Sequence, residues 1–142
     1  MLLQTNKKQI LNADDLYNYY LYEIKPYLTY IDLYNEYLFC VGLDKNHYAL
    51  YCNLASIGHE SGVSANVKDL IRYAATYNAK FVLMIHNHPN NSEPSEPDIE
   101  ITRKWGRAMI RVGIKLNEHI VVKDDGYTSI VSIIKERKEN AK

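Results

Sequence analysis

The chain has 142 residues, of which 46% are hydrophobic and 24% are charged, so its composition is that of one folded domain and excludes a disordered segment. Its 17 Lys and Arg residues balance its 17 Asp and Glu residues, so the net charge gives no support to DNA binding. Since no apolar run is long enough to span a bilayer and the N-terminus lacks a signal-peptide pattern, we expect a cytoplasmic protein without membrane contact. One domain is expected over residues 1–142.

The first third of the chain predicts a helix followed by a β-hairpin. Asn12 can cap a helix over about residues 13–25, and Pro26 interrupts it. Residues 36–43 (EYLFCVGL) are β-prone, and a short polar turn joins them to a partner strand, HYALYCNLA.

The middle of the chain predicts a second helix and a central strand. Ser64 is a plausible cap for a helix over residues 66–77. Residues 80–85 (KFVLMI) form a short apolar run of the kind found in strands that are covered on both faces. The proline-rich segment HNHPNNSEPSEPD follows, which predicts an ordered loop where that strand ends.

The last third predicts a third helix, two short strands and a polar terminal helix. Pro97 and Asp98 suit the first turn of a helix that ends at Gly113. The strands are IKLNEHIVV and YTSIV, separated by an Asp-Asp-Gly turn. The fold class is therefore α/β (α+β), with a mixed central sheet flanked by helices.

A metal site is predicted where the central strand ends. His86 and His88 alternate with Asn87, so both imidazoles point to one face if the strand conformation persists. Asp98 can fold back beside them through the loop, and two histidines with one carboxylate form a common ligand set for a zinc ion with an open position. The alternative is that the histidines only hydrogen-bond the loop and that Asp98 only caps a helix.

A hydrolytic zinc site also needs a carboxylate that moves a proton and does not bind the metal. Glu36 is the candidate, because it lies at the edge of a strand that should neighbour the central one. Its rivals Glu60, Glu93 and Glu96 lie in loops, where a base is held less firmly. Ser95 could donate a hydrogen bond to the oxyanion that forms when water attacks a carbonyl.

The layout of these residues resembles a known motif. Glu36, then His86-Asn87-His88-Pro89, then Pro94-Ser95 and Asp98 resemble the JAMM (also called JAB or MPN) metallo-hydrolase motif, specifically its bacterial RadC-like branch. The segments YNAKFVLMIHNHP and EHIVVKDDGYTSI are also similar to the RadC core, so the resemblance covers about residues 33–131.

The resemblance implies a cytidine-deaminase-like sheet between helices and a zinc held by His86, His88 and Asp98. Glu36 would be the general base, and Ser95 stands at the position of the family's serine. The sequence departs from the usual RadC pattern in two ways. The loop before Ser95 is one residue shorter, with Asn90-Asn91 in place of a typical Ser-Gly, and we expect the protein to lack the helix-hairpin-helix segment that precedes the domain in full-length RadC proteins.

Two functions follow from the resemblance. Many relatives cut amide bonds, which implies a zinc-dependent peptidase or isopeptidase whose substrate is a peptide, a protein or an isopeptide conjugate. The RadC name is also attached to DNA repair and mobile elements, which leaves open a DNA-transaction accessory with a mainly structural metal. A zinc nucleobase deaminase is excluded, because its HxE and PCxxC motifs are absent.

Overall fold

A mixed sheet of six strands forms the centre of the computed structural model, which describes residues 2–3, 7–28, 35–58 and 65–141. The strand order is β1-β3-β2-β4-β5-β6, and only β4 and β5 are parallel neighbours. The strands are β1 (Leu2–Leu3), β2 (Glu36–Leu43), β3 (Ala49–Gly58), β4 (Phe81–Asn87), β5 (Lys115–Lys123) and β6 (Gly126–Ser129). The α-helices are α1 (Ala13–Tyr19), α2 (Val67–Thr76), α3 (Glu96–Ile110) and α4 (Ile130–Asn140). The predicted fold class is confirmed.

The N-terminal helix begins where the sequence predicts, but its second half is not α-helical. The side chain of Asn12 caps α1 by accepting a hydrogen bond from the amide of Asp15. After α1 the chain continues as a π-helical turn over Tyr20–Ile24 and a 3-10 turn over Lys25–Leu28. Pro26 supplies a physical reason, because its ring displaces the carbonyl four residues earlier and it has no amide hydrogen to donate.

Side chains of the hairpin alternate between two apolar layers. Tyr37, Phe39 and Val41 pack in the layer that contains α1, whereas Leu38 and Cys40 pack in the layer that contains residues of α2 and α3. All of β2 is buried, because the strand lies between β3 and β4 and both faces of the sheet are covered. The predicted hairpin is confirmed.

The boundaries of the middle elements differ from the prediction. Asn66 caps α2 by accepting from the amide of Lys68, so the cap lies two residues later than the predicted Ser64. Ser64 itself lies outside the described residues, together with His59 and Glu60.

The central strand extends to Asn87 and not only to residue 85, because β2 and β5 hold it on both sides as far as its last residues. The segment YTSIV also ends earlier as a strand. The hydroxyl of Ser129 accepts from the amide of Ser132, so Val131 belongs to α4.

The parallel strands β4 and β5 are joined by the connection that contains α3. Trp105 and Met109 of α3 pack against Met84 of β4 in one buried cluster. The first turn of α3 consequently lies beside the C-terminal end of β4, where ligand sites of such sheets commonly form. Among the described helices, none has both the length and the apolar character needed to cross a bilayer.

Candidate metal centre

The end of β4 places two imidazoles side by side. His86 pairs with Leu38 of β2 and with Val121 of β5. The amide of His88 donates to the carbonyl of Val122 at 3.0 Å, so the extended conformation persists through both histidines. Their ring centroids lie 4.6 Å apart, and both rings are buried. The expectation that they share a face is confirmed.

Asp98 combines a helix cap with contacts to both imidazoles. The hydroxyl of Ser95 accepts from the amide of Asp98 at 3.2 Å, and the amide of Ser95 donates to Oδ2 of Asp98 at 2.9 Å. This reciprocal pair fixes the carboxylate at the start of α3. Oδ2 lies 3.2 Å from Nε2 of His88, and Oδ1 lies 4.0 Å from Nε2 of His86. Asp98 therefore caps α3 and contacts both histidines at the same time.

Glu36, the first residue of β2, also lies beside His86. Its Oε2 is 3.7 Å from Nε2 of His86, and the residue is only 9% exposed. Glu36, His86 and His88 each offer one ligand atom, and these atoms all lie within 4.8 Å of one another. Two carboxylates, Glu36 and Asp98, thus meet the same pair of imidazoles from different elements.

Asn87, the residue between the histidines, holds the backbone around Glu36. Its Oδ1 accepts from the amide of Tyr37 at 2.6 Å, and its Nδ2 donates to the carbonyl of Asn35 at 3.0 Å. The pairing of β2 with β4 ends at Leu38 and His86, so the side-chain amide takes over where backbone pairing stops. This clamp fixes the start of β2 and with it the position of the Glu36 backbone.

A third buried histidine lies behind the first two. Nε2 of His119 is 3.2 Å from Nδ1 of His86, and Nδ1 of His119 is 2.8 Å from the hydroxyl oxygen of Thr102. His119 is 1% exposed and lies under the ring of Trp105, with centroids 6.2 Å apart. It therefore packs directly beside the imidazole pair.

Burial and neighbouring charge shift three pKa values in this cluster. For Asp98, burial alone would raise the pKa, but hydrogen bonds from His88 and Ser95 lower it well below its ordinary value. For His88, burial would lower the pKa, but Asp98 and the carbonyl of Ser92 raise it overall. For His119, burial lowers the pKa well below its ordinary value.

The loop from His88 to Ser95 is tied to the turn between β5 and β6. Asn91 and Asp124 form a reciprocal pair. Nδ2 of Asn91 donates to the carboxylate of Asp124 at 3.0 Å, and Oδ1 of Asn91 accepts from the backbone amide of Asp124 at 2.9 Å. The carbonyl of Ser92 accepts from Nδ1 of His88 at 2.8 Å. The loop is therefore ordered, as the sequence predicts, and it orients one of the imidazoles.

The rival bases are engaged elsewhere or lie outside the described part of the chain. Glu93 is exposed and bonded to Lys123 and Thr128, and these contacts lower its pKa. Glu96 is exposed and bonded to Arg137, which lowers its pKa. Both carboxylates bond other side chains, whereas that of Glu36 lies 3.7 Å from an imidazole nitrogen of the pair.

The donor atoms of this cluster fit a bound cation. Oε2 of Glu36 and Nε2 of His86 are buried, and neither has a hydrogen-bond partner. A buried polar atom without a partner is costly, and a cation that accepts the Nε2 lone pair of His86 beside the Glu36 carboxylate would reduce that cost for both atoms. Imidazole nitrogen and carboxylate oxygen suit zinc and other first-row metals. The residues present therefore fit a metal ion.

Two residues of the site escape prediction from the sequence. Thr102 stands one helical turn after Asp98, and that spacing is its only signal, since a buried threonine in a helix is ordinary. Asn87 lies inside the predicted motif, but only the strand pairing reveals that its amide bonds the chain on both sides of Glu36.

Comparison with known proteins places the chain among relatives of similar sequence. The profile of the RadC-like JAB domain matches residues 10–138. A UPF0758 protein of Carboxydothermus hydrogenoformans is 32% identical over 128 residues, which cover 88% of this chain and 53% of that protein. A UPF0758 protein of Porphyromonas gingivalis is 33% identical over 104 residues, which cover 72% of this chain and 45% of that protein. The chain thus spans about half the length of the curated relatives it matches.

Proposed function

Because this chain belongs to the RadC-like JAB domain family, we propose that it is a zinc-dependent hydrolase of amide bonds, acting on a peptide, a protein or an isopeptide conjugate. The observation that supports it best is the meeting of two carboxylates on one pair of buried imidazoles. His86, His88 and Asp98 would hold the metal. Glu36 would move the proton.

The two carboxylates are assigned by what already binds them. Oδ2 of Asp98 accepts from the amide of Ser95, and its Oδ1 faces His86, so this carboxylate is held rigidly by the helix cap. Rigid positioning suits a ligand. Oε2 of Glu36 is without a hydrogen-bond partner, which leaves it free to accept a proton.

The reaction needs a polarised water, a proton carrier and a donor for the oxyanion. When bound, zinc supplies a Lewis acid that lowers the pKa of water to about 7. Glu36 takes the proton from the attacking water and returns it to the leaving amine, a transfer that contributes roughly 10²–10⁴-fold to such rates. The hydroxyl of Ser95 accepts from the amide of Asp98, so its own hydrogen remains available for the oxyanion.

Catalysis is favoured over a purely structural metal by the position of Glu36. A structural zinc site is closed by four protein ligands, whereas a catalytic one has three and an open position. Here the fourth side chain is a carboxylate whose buried oxygen lies 3.7 Å from a ligand nitrogen and accepts no hydrogen bond. This arrangement is the one expected for a general base beside an open coordination position of the metal.

Metal content and amide cleavage together test the proposal. The wild type is expected to bind one zinc per chain, and His88→Ala and Asp98→Asn are expected to lose most of it. Glu36→Gln should retain the metal but cleave a panel of peptide and isopeptide substrates at least about 100-fold more slowly. Glu93→Gln, in the neighbouring loop, is the matched control and should retain both properties. Zinc binding by His88→Ala at the wild-type level, or full activity of Glu36→Gln, would overturn the assignments.

A further inference from the structure

A chain of three hydrogen bonds runs from the backbone of α3 to the imidazole of His86. The hydroxyl oxygen of Thr102 lies 2.7 Å from the carbonyl oxygen of Asp98 and 2.8 Å from Nδ1 of His119. Nε2 of His119 in turn lies 3.2 Å from Nδ1 of His86. We call this chain of hydrogen bonds the relay. Thr102 and His119 are 2% and 1% exposed, so solvent does not offer them other partners.

The direction of each bond follows from its first member. A carbonyl oxygen can only accept, so the single hydrogen of the Thr102 hydroxyl points to Asp98. The hydroxyl oxygen must then accept from Nδ1 of His119, which places the hydrogen of that ring on Nδ1. A neutral imidazole has one donor and one acceptor nitrogen, so with Nδ1 of His119 donating to Thr102, its Nε2 accepts a hydrogen from Nδ1 of His86.

We propose that Thr102 and His119 are positioning residues, which fix His86 as the tautomer with its hydrogen on Nδ1 and its Nε2 lone pair directed at the metal centre. The inference rests on the proposed metal site, and it deepens that proposal by naming what prepares one of the ligands. The buried Nε2 of His86, which has no hydrogen-bond partner, is the atom that the relay leaves unprotonated. Outer-shell hydrogen bonds of this kind commonly change metal affinity by about 10–100-fold.

The relay also connects two of the proposed metal ligands, Asp98 and His86. Its first acceptor is the carbonyl of Asp98, whose carboxylate faces both imidazoles. A shift of α3 along its axis would therefore move the carboxylate and the relay together. The same helix turn thus sets the position of one ligand and the tautomer of another.

Nitrogen-15 NMR of the histidine rings in the metal-free 142-residue chain tests the tautomers directly. His86 and His119 should both carry a hydrogen on Nδ1. A spectrum in which Nδ1 of His86 carries no hydrogen would overturn the proposal, and this measurement needs no variant.

A pair of substitutions at Thr102 tests the consequence for binding. Thr102→Val removes the hydroxyl at nearly constant volume, and it should weaken zinc binding, measured by competition with a chelator, by about 10–100-fold. Thr102→Ser restores the hydroxyl and should return the affinity to within about threefold of the wild type. Met109→Ala leaves a cavity in the same helix without touching the relay, and it should lower the melting temperature while zinc affinity stays unchanged.

The outcomes separate this inference from the proposed function. If Thr102→Val binds zinc as tightly as the wild type, or if Thr102→Ser fails to restore the affinity, the relay is wrong while the metal site stands. If the wild type itself binds no zinc, the proposed function fails, whatever the tautomers are.

Discussion

Nε2 of His88 lies 3.2 Å from Oδ2 of Asp98, while Nδ1 of the same ring lies 2.8 Å from the carbonyl of Ser92. The carbonyl can only accept, so Nδ1 carries a hydrogen. Without a cation, the contact with Asp98 is favourable only if Nε2 is protonated too. A proton and a metal ion therefore compete for one nitrogen atom, and the pH decides between them.

The metal-free protein is expected to be most stable at weakly acidic pH. The pKa of His88 is raised above its ordinary 6.5, so its contribution is complete below pH 6.5 and is lost as pH rises through the raised value. The pKa of Asp98 is lowered below its ordinary 3.8, so its contribution is present above pH 3.8 and is lost as pH falls through the lowered value. Both contributions are complete between these limits.

Thermal unfolding with a chelator and with zinc, inside and above this pH window, measures the competition. The melting temperature of the chelated protein should fall as pH rises above the window, and the increase on adding zinc should be larger there than inside it. In Asp98→Asn both trends should disappear. Equal zinc effects at all pH values would contradict the competition.

The sequence predicts which residues form this site better than it predicts the hydrogen bonds that hold them in place. The sequence predicts that His86, His88 and Asp98 lie together, because a strand alternates its side chains and a proline-rich loop can fold back. It places Glu36 beside them because its strand should neighbour the central one. The hydrogen bonds that hold them follow from the register of β4 between β2 and β5, which no periodicity in the sequence reveals. The starts of α2 and α4 differ from the prediction because the side chains of Asn66 and Ser129 accept hydrogen bonds from nearby backbone amides. Such caps start a helix where an extended or loop conformation would otherwise continue.

Removal of the Asn87 amide is expected to loosen the start of β2 without removing the metal. In Asn87→Ala the amide of Tyr37 loses its acceptor and the carbonyl of Asn35 loses its donor, so the backbone around Glu36 gains freedom. Hydrogen exchange at Tyr37 should accelerate, and amide cleavage should slow by up to about 100-fold, since small misplacements of a reacting group have effects of that size. Zinc content should not change.

Amides farther along β2 serve as the internal control for Asn87→Ala. They bond β3 and β4 through the backbone, so their exchange should stay at the wild-type rate. If Tyr37 exchanges in the variant as slowly as in the wild type, the clamp does not hold this end of the strand.

The pair between Asn91 and Asp124 is expected to support metal binding from the surface. Asn91 adopts a positive φ of 60°, a conformation that asparagine tolerates well, and its side chain bonds both the backbone and the carboxylate of Asp124. Asp124→Ala removes the carboxylate and should free the loop that presents the Ser92 carbonyl to His88. Zinc affinity should fall by up to about tenfold, as for other outer-shell contacts.

The neighbouring Asp125→Ala is the matched control for the loop, because it removes a carboxylate of the same turn and leaves the pair with Asn91 intact. Chelator competition on both variants makes the comparison. Equal zinc affinities for Asp124→Ala and the wild type would show that the loop orients His88 without this anchor.

Two glycines should respond to alanine in opposite directions. A Cβ added to Gly42 would lie 2.0 Å from the ring of Tyr51, which is 1% exposed and packs against Tyr73 and Tyr77. The ring has no space to move, so Gly42→Ala should lower the free energy of unfolding by about 1–3 kcal/mol.

The second glycine, Gly106, lies inside α3, and its added Cβ would meet only a side-chain atom of Leu116 at 3.9 Å. Gly106→Ala should therefore raise the free energy of unfolding by about 0.5–1 kcal/mol, because glycine is a poor helix former. Urea unfolding of both variants checks the signs, and a stabilising Gly42→Ala would mean that Tyr51 does not pack over β2 as the structure has it.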